Sequence, residues 1–204
     1  MIITHNTLES FKIQLGDTVI ALNPVSKKSK LPAVSFGADV AIITIDHPDM
    51  NGVESVSRGD AAPFAIIGPG EYEVSGVFIR GFQSVSTYDG KERMNTIYTI
   101  ALEDSQICFL GALGTATLPP ETLEALPDID ILFVPIGGDG VLTPAEASKL
   151  VTSLEPRIII PMHYRTPGMK DLDGVDAFFK AMGVSKPEPL PKFKITDKDL
   201  PQEK

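Results

Sequence analysis

The chain has 204 residues, of which 43% are hydrophobic, and this is enough to form one well-packed domain. Its 27 acidic and 18 basic residues give a net charge of −9, which repels nucleic-acid phosphates and anionic membrane surfaces. We therefore expect a single domain over residues 1–204, with neither nucleic acid nor a membrane as a partner.

The single cysteine and the N-terminal segment indicate where the protein works. Cys108 lies in the apolar run QICFLGAL, so it has no cysteine to pair with and is expected to be buried. The N-terminal residues MIITHNTLES lack the features of a signal peptide, and no apolar run approaches the length of a membrane span. We expect a reducing compartment and a cytoplasmic location.

The first half of the sequence contains short apolar segments separated by turn residues, a pattern typical of β-strands. Two of the separations, Gly16-Asp17 and Glu103-Asp104, are short enough for tight hairpins. The predicted strands are MIIT, SFKIQL, DTVIAL, DVAIITI, PFAIIG, GEYEV, GVFIRGF, TIYTIAL and QICFLGAL.

The second half alternates helical patterns with very apolar strands. LPPETLEAL predicts a helix with proline at its start, and VDAFFKAMG predicts an amphipathic helix that ends at Gly183. LTPAEASKLVTSL has the strongest start signal, because Thr143 and Glu146 have the spacing of a capping box and Pro144 suits the first helical position. DIDILFVPIGG and RIIIPMHY predict buried strands between these helices.

The tail from about residue 185 is rich in proline and charge, and we expect it to be loose apart from a short strand in KFKIT. Hairpins in the first half and strand–helix–strand units in the second predict an α/β fold with two sheets and helices outside them. A glycine-rich phosphate loop, a nucleophile elbow and an internal repeat are not present in the sequence.

Two histidines lie just past the ends of apolar runs, His47 after VAIITI and His163 after RIIIPM. If the same rim of both sheets is accessible, these two imidazoles and the carboxylate of Asp49 can converge. Such a set can form part of the coordination shell of zinc, manganese or iron(II). In the alternative interpretation, which spacing alone favours, His47 and Asp49 form a polar loop and His163 makes a hydrogen bond at a strand end.

Several phrases in this order resemble the metallo-β-lactamase family. They are IITHNTLESFKIQLGDTVIALNP, the D-H-x-D loop after a strand, ILFVPIGG and IIIPMHY, which together extend over nearly the whole chain. The closest branch contains candidate zinc-dependent hydrolases and relatives of ascorbate-6-phosphate lactonase. The resemblance implies an αββα sandwich of two mixed β-sheets flanked by helices.

The resemblance also implies that the metal-binding loop of the family is eroded in this chain. The family's H-x-H-x-D-H loop falls on residues 45–50, where His47 and Asp49 remain but Ile45 and Met50 replace two histidines. Neither apolar side chain can bind a hard or borderline divalent cation, apart from a weak thioether contact.

The other ligand positions of the family are mostly replaced as well. The next metal histidine falls at about Ser86, and the bridging aspartate of the family falls on Ala112 in FLGALGT. The last metal histidine is matched by His163, whereas the family's G-H-x-x-F and D-P phrases become TLESF and Asn23-Pro24. The resemblance therefore leaves a remnant metal site of His47, Asp49 and His163.

Two main hypotheses follow for function. In the first, the protein has lost the dinuclear metal site and binds a small molecule or a protein through the old cleft, most simply without a cofactor. In the second, it hydrolyses a small ester, lactone or phosphoester with a single zinc or manganese ion or with no metal. His47 and His163 then act as general base and electrostatic stabiliser, and Asp49 orients one of them. A third class, nucleic-acid processing, occurs among relatives of this fold and conflicts with the net charge. In either main case we expect Ile45, Met50 and Ala112 to lie together as an apolar floor.

Overall fold

The computed structural model describes residues 1–166 and 169–201, and it contains two six-stranded β-sheets. The strands of the first sheet are β1 (Ile2–Thr7), β2 (Ser10–Leu15), β3 (Thr18–Leu22), β4 (Val40–Ile43), β5 (Phe64–Ile67) and β12 (Phe193–Lys194). The strands of the second sheet are β6 (Gly70–Val74), β7 (Val77–Ser86), β8 (Arg93–Leu102), β9 (Ser105–Phe109), β10 (Ile131–Pro135) and β11 (Ile158–Met162).

Both sheets are mixed, as the predicted fold requires. The first sheet has the order β12-β1-β2-β3-β4-β5 and the second has the order β11-β10-β9-β8-β7-β6. Strands β3, β4 and β5 run parallel, as do β9, β10 and β11, whereas the other neighbours pair antiparallel. The parallel strands β4 and β11 are the two that precede His47 and His163.

Both predicted hairpins are confirmed. Leu15 pairs with Thr18 across Gly16-Asp17, and Leu102 pairs with Ser105 across Glu103-Asp104. Strand β7 extends four residues beyond the predicted segment GVFIRGF, because residues 83–86 continue the antiparallel ladder with β8 as far as Ser86 opposite Arg93. This extension brings the β7–β8 connection to the same end of the molecule as the histidines.

The main core lies between the two sheets and joins their inner faces through side chains such as Ile13, Ile42, Tyr98 and Phe133. The hydroxyl of Tyr98 links the sheets directly, because it lies 3.1 Å from the Ile43 carbonyl and accepts the Gly68 N–H at 2.8 Å. Buried apolar side chains in both sheets therefore account for the alternating strand patterns of the sequence.

Three α-helices lie within the described residues: α1 (Pro120–Ala125), α2 (Pro144–Leu154) and α3 (Val175–Met182). The predicted capping box is confirmed, because Glu146 N–H donates to the Thr143 hydroxyl and the Glu146 carboxylate accepts from the Thr143 N–H. Leu150 and Phe178 belong to a second core on the outer face of the second sheet.

The outer face of the first sheet is covered by a short turn and irregular chain, whereas the outer face of the second sheet is covered by helices. Ala21 and Ala41 pack there against Val56, which belongs to the 3₁₀ turn Val53–Val56, and against the half-buried Phe36. Residues 23–39, which connect β3 to β4 and include Phe36, contain two prolines and no helical period of apolar residues, so they cover the sheet as irregular chain.

The C-terminal segment contacts β1. Phe193 and Lys194 pair with β1, Ile195 is buried, and the Met1 ammonium group donates to the Ile195 carbonyl at 2.7 Å. None of the helices in the described ranges is long and apolar enough to cross a membrane.

Candidate active site

The structure brings His47, Asp49 and His163 together around one tyrosine. The ring of Tyr88 stands edge-on to the imidazole of His47, with centroids 5.0 Å apart, and edge-on to that of His163, with centroids 5.1 Å apart. Its hydroxyl donates to the carboxylate of Asp49 at 2.8 Å. All three predicted site residues are therefore neighbours of Tyr88, which lies between the two imidazoles.

His163 is fully buried and is held by a glutamate that the sequence analysis did not identify. Nδ1 of His163 lies 2.5 Å from Oε1 of Glu9, and both side chains are inaccessible to solvent. With the carboxylate as acceptor, the ring proton lies on Nδ1 and Nε2 carries the free lone pair. Nε2 has no hydrogen-bond partner among the described residues.

Glu9 is in turn fixed by a buried amide. The side-chain N–H₂ of Asn23 donates to Glu9 Oε2 at 2.7 Å and to the Thr44 hydroxyl at 2.9 Å, while its carbonyl oxygen accepts the Thr44 N–H at 2.9 Å. A carboxylate fixed by hydrogen bonds orients the imidazole it contacts. The residues Asn23, Glu9 and His163 thus form a chain of contacts that sets the direction of Nε2.

The backbone around this chain of contacts adopts unusual conformations. Leu8, Asn23 and His163 have φ angles of 48°, 38° and 53°, in the left-handed region that side chains other than glycine rarely occupy. The carbonyl of Leu8 accepts the N–H of His163 at 3.1 Å, which joins two of these residues directly. Such conformations concentrate at functional sites, where the surrounding structure holds them in place.

Gly137 makes room for the conformation of His163. A Cβ atom at Gly137 would lie 2.1 Å from the His163 carbonyl oxygen, which no side chain tolerates. The glycine of ILFVPIGG is therefore required by a close approach of two backbones.

The loop that carries His47 and Asp49 is shaped by its own hydrogen bonds. The N–H of Asp49 donates to Nδ1 of His47 at 3.2 Å, and the N–H of Met50 donates to the His47 carbonyl at 2.8 Å. Because the lone pair of Nδ1 is used within the loop, the ring proton of neutral His47 lies on Nε2. Nε2 lies 3.8 Å from the exposed carboxylate of Asp89.

The carboxylate of Asp49 has both oxygens engaged. One accepts from the hydroxyl of Ser29 and the other accepts from that of Tyr88. Burial, followed by the hydrogen bond to Asp49, raises the pKa of Tyr88 above its ordinary value, so the phenol keeps its proton at neutral pH.

The predicted apolar floor is confirmed. Ile45, Met50 and Ala112 are at most 2% exposed and belong to one buried cluster, against which the half-buried Tyr88 packs. Leu8, which stands at the histidine of the family's G-H-x-x-F phrase, belongs to the same cluster. Three positions that the resemblance assigns to metal ligands, together with Leu8, therefore meet as apolar side chains.

The donor atoms of the site are fewer than a catalytic metal ion requires. Catalytic zinc sites usually have three protein ligands. Within residues 1–166 and 169–201, no three histidine, cysteine, aspartate or glutamate side chains are grouped closely enough to hold one ion. Nδ1 of His47 and both carboxylate oxygens of Asp49 are engaged in protein hydrogen bonds, whereas Nε2 of His163 has no partner among the described residues and can take up an ion or a proton.

Sequence reasoning missed Glu9 and Tyr88, although each had a signal. Glu9 stands in TLESF, inside the phrase aligned with the family's N-terminal motif, and Tyr88 lies two residues after Ser86, the aligned ligand position. Ser86 is buried, and its hydroxyl accepts the Tyr88 N–H at 3.2 Å.

Comparison with known proteins defines the class. The family described as the beta-lactamase superfamily domain matches residues 3–163, and the chain belongs to this family. The stacked mixed sheets are those of the metallo-β-lactamase fold, which confirms the predicted fold class.

Particular relatives are similar over most of the chain. A UPF0173 metal-dependent hydrolase of Listeria monocytogenes is 23% identical over 197 residues, covering 81% of this chain and 86% of its own. One from Thermococcus onnurineus is 30% identical over 152 residues, covering 63% and 68%. The crystal structure of a candidate Zn-dependent hydrolase of the metallo-β-lactamase superfamily from Thermotoga maritima has a TM-score of 0.78 at 29% identity, covering 99% of this chain and 94% of that one. The chain is thus a homologue of proteins named as metal-dependent hydrolases.

Proposed function

We propose that this hydrolase homologue does not carry out dinuclear metal hydrolysis and that it binds a small molecule or a protein partner at the rim of the old cleft. The observation that carries this proposal is the position of Tyr88. Its ring lies between the imidazoles of His47 and His163, and its hydroxyl donates a hydrogen bond to one carboxylate oxygen of Asp49.

The replaced ligand positions support the same conclusion. Dinuclear sites hold two ions about 3.5–4 Å apart, with a carboxylate bridging them in the family that this chain resembles. Ala112, at the corresponding position, supplies only a methyl group to a buried apolar cluster. A pair of dications beside Ile45, Met50 and Leu8 would lose hydration with few donor atoms in return.

A second candidate function rests on His163. A histidine whose Nδ1–H is held by a carboxylate, with Nε2 left free, is suited to act as a general base or to bind one ion. This supports the alternative of a hydrolase that uses one metal ion or none. Because His163 is fully buried, a substrate reaches Nε2 in this case only after neighbouring side chains, such as the contacting ring of Tyr88, move.

Elemental analysis and hydrolase assays test the two functions. Protein purified without added metal or chelator is analysed for zinc, manganese and iron, and assayed with lactone, phosphodiester and thioester substrates before and after chelation. Under the leading proposal, each metal stays well below one ion per chain and no substrate is hydrolysed.

Two outcomes of these measurements would contradict the leading proposal or support the second candidate. Stoichiometric metal together with hydrolysis that chelators abolish overturns the leading proposal. Hydrolysis that Glu9→Gln and His163→Gln remove, and that the surface control Glu124→Gln leaves unchanged, establishes the second candidate.

A further inference from the structure

A second concave region lies beside the site, on the other side of Leu8. It is a groove of about 450 Å³ between β1, β11, α3 and the segment from Lys186 to Phe193. This volume is within the range of small-molecule sites. The carbonyl of Leu8 forms its boundary with the buried site, because it accepts from both His5 Nε2 at 3.2 Å and the His163 N–H.

The walls of the groove are mainly aromatic and aliphatic. The imidazole of His5 stacks on the ring of Phe11 with centroids 4.5 Å apart, and Tyr164 stands 6.2 Å from the same imidazole. Phe179 of α3 and Leu190 line the groove as well, and Leu190 is 66% exposed. A ligand that fills this groove must have an apolar body.

Three polar side chains that line the groove, those of His5, Tyr164 and Glu188, can accept hydrogen bonds. Since His5 Nε2 donates to a carbonyl, Nδ1 of the neutral ring carries a lone pair. The surrounding protein atoms lower the pKa of His5, although its ring remains accessible from the groove, so the neutral form is present at pH 7. Among the described residues, neither the Tyr164 hydroxyl nor the Glu188 carboxylate has a hydrogen-bond or ion-pair partner.

Of the two charged side chains among the described residues at the rim, the lysine is already in an ion pair and the glutamate is not. Lys186 is the groove's one lysine among the described lining residues, and its Nζ lies 3.0 Å from the carboxylate of Asp176. The carboxylate of Glu188 is left uncompensated, and the net charge of −9 adds a field that attracts cations. The rim therefore favours a positively charged group that donates hydrogen bonds.

We propose that this groove binds a small protonated amine with an aromatic or alkyl body. The apolar body packs on Phe11, Phe179 and Leu190, and the ammonium group pairs with Glu188, in the groove that the acceptors of His5 and Tyr164 also line. Aromatic walls add to this preference, because a cation near the face of an aromatic ring is stabilised electrostatically. The site is separate from the metal cleft, and its occupancy does not depend on the function proposed above.

The test uses three probes that share one ring system: tryptamine, indole and indole-3-propionate. The chain contains no tryptophan, so the indole fluorescence anisotropy of each probe can be followed directly while full-length protein is added. Tryptamine is expected to bind about tenfold more tightly than indole-3-propionate, with indole between them, and the difference should shrink with added salt.

Two substitutions at exposed positions locate the binding. Glu188→Gln should reduce tryptamine to the affinity of indole while leaving indole unchanged, and Leu190→Ser should weaken all three probes. Glu124→Gln, on α1 and outside the groove, removes the same charge and should leave all affinities unchanged.

Three results would overturn the inference. They are equal or tighter binding of indole-3-propionate, tryptamine binding that persists in both groove variants, and no binding of any probe at millimolar protein.

Discussion

Glu9 and His163, 154 positions apart in the chain, form a fully buried carboxylate–imidazole pair with 2.5 Å between Oε1 and Nδ1. The pair joins the β1–β2 turn of the first sheet to the end of β11 in the second. Removing one partner of such a pair leaves a polar or charged group in the interior with nothing to compensate it.

We therefore expect Glu9→Leu to lower the free energy of unfolding by about 3–5 kcal/mol, since His163 Nδ1 and the Asn23 amide both lose their acceptor. Glu9→Gln keeps an acceptor oxygen and should cost less. Urea denaturation of both variants measures the difference, with Glu124→Gln as a surface control within about 0.5 kcal/mol of the parent. A loss below about 1 kcal/mol for Glu9→Leu would show that the pair is not a stabilising contact.

The second prediction concerns restoring the family's ligand set. The quadruple variant Ile45→His, Met50→His, Ser86→His and Ala112→Asp places ionisable groups in a buried cluster, so without metal it should be less stable than the parent. Zinc at a thousandfold excess over Kd should raise the free energy of unfolding of the variant by roughly 4 kcal/mol, because the ion binds only the folded state. Adding Tyr88→Ala, which clears the ring from between His47 and His163, should strengthen the response.

Thermal melting with and without zinc measures this effect in the parent and in both variants. The parent should respond little. An equal rise in Tm for parent and quadruple variant would mean that the parent already binds zinc, and the leading function would be wrong.

The third prediction concerns the start of α2. Thr143→Ala removes the capping hydroxyl and should lower stability by about 1 kcal/mol, because the Glu146 N–H loses its acceptor. Ser153→Ala exchanges an exposed hydroxyl for a methyl group within the same helix and should be neutral or slightly stabilising. Equal losses in the two variants would contradict a role of the capping box.

The fourth prediction is a loss of stability at alkaline pH through Tyr98. Burial raises the pKa of Tyr98 from about 10 to about 12. Between these values the unfolded state releases the proton while the folded state keeps it, so the stabilisation is complete below pH 10 and falls by roughly 1.4 kcal/mol for each pH unit above it. Tyr98→Phe should flatten this pH dependence and, at pH 7, should cost about 1–3 kcal/mol because the Gly68 N–H loses its acceptor.

Denaturant unfolding at pH 8 to 12 compares the two proteins. Tyr88, whose pKa is also raised, is present in both and contributes equally. A parallel decline in parent and variant would show that Tyr98 is not responsible.

Local patterns made much of the fold predictable. Gly16-Asp17 forms a hairpin because its neighbours alternate in a strand pattern, and Thr143 caps α2 because the signal needs only two residues three positions apart. The apolar cluster of Ile45, Met50 and Ala112 was predictable from the resemblance, which places these residues at one site.

The positions of Tyr88 and Glu9 in the site were not predictable from local patterns. Tyr88 reaches His47 and His163 because β7 extends to Ser86 and the following turn places Asp89 at a φ of 58°, and neither feature has a strong local signal. Glu9 stands in a short turn where a polar residue is ordinarily solvated, and its burial depends on the approach of β11 from the end of the chain. Contacts between such distant segments come from tertiary packing.

Cys108 gives the protein a built-in reporter of its own motions. The thiol is completely buried in the core beneath the helices, and burial raises its pKa to about 12. In the folded state it is therefore both shielded from solvent and protonated. A thiol-reactive dye can label it only when the helical layer separates from the second sheet or the whole chain unfolds. As this is the only cysteine in the sequence, labelling kinetics at increasing denaturant separate those two events without any engineered site.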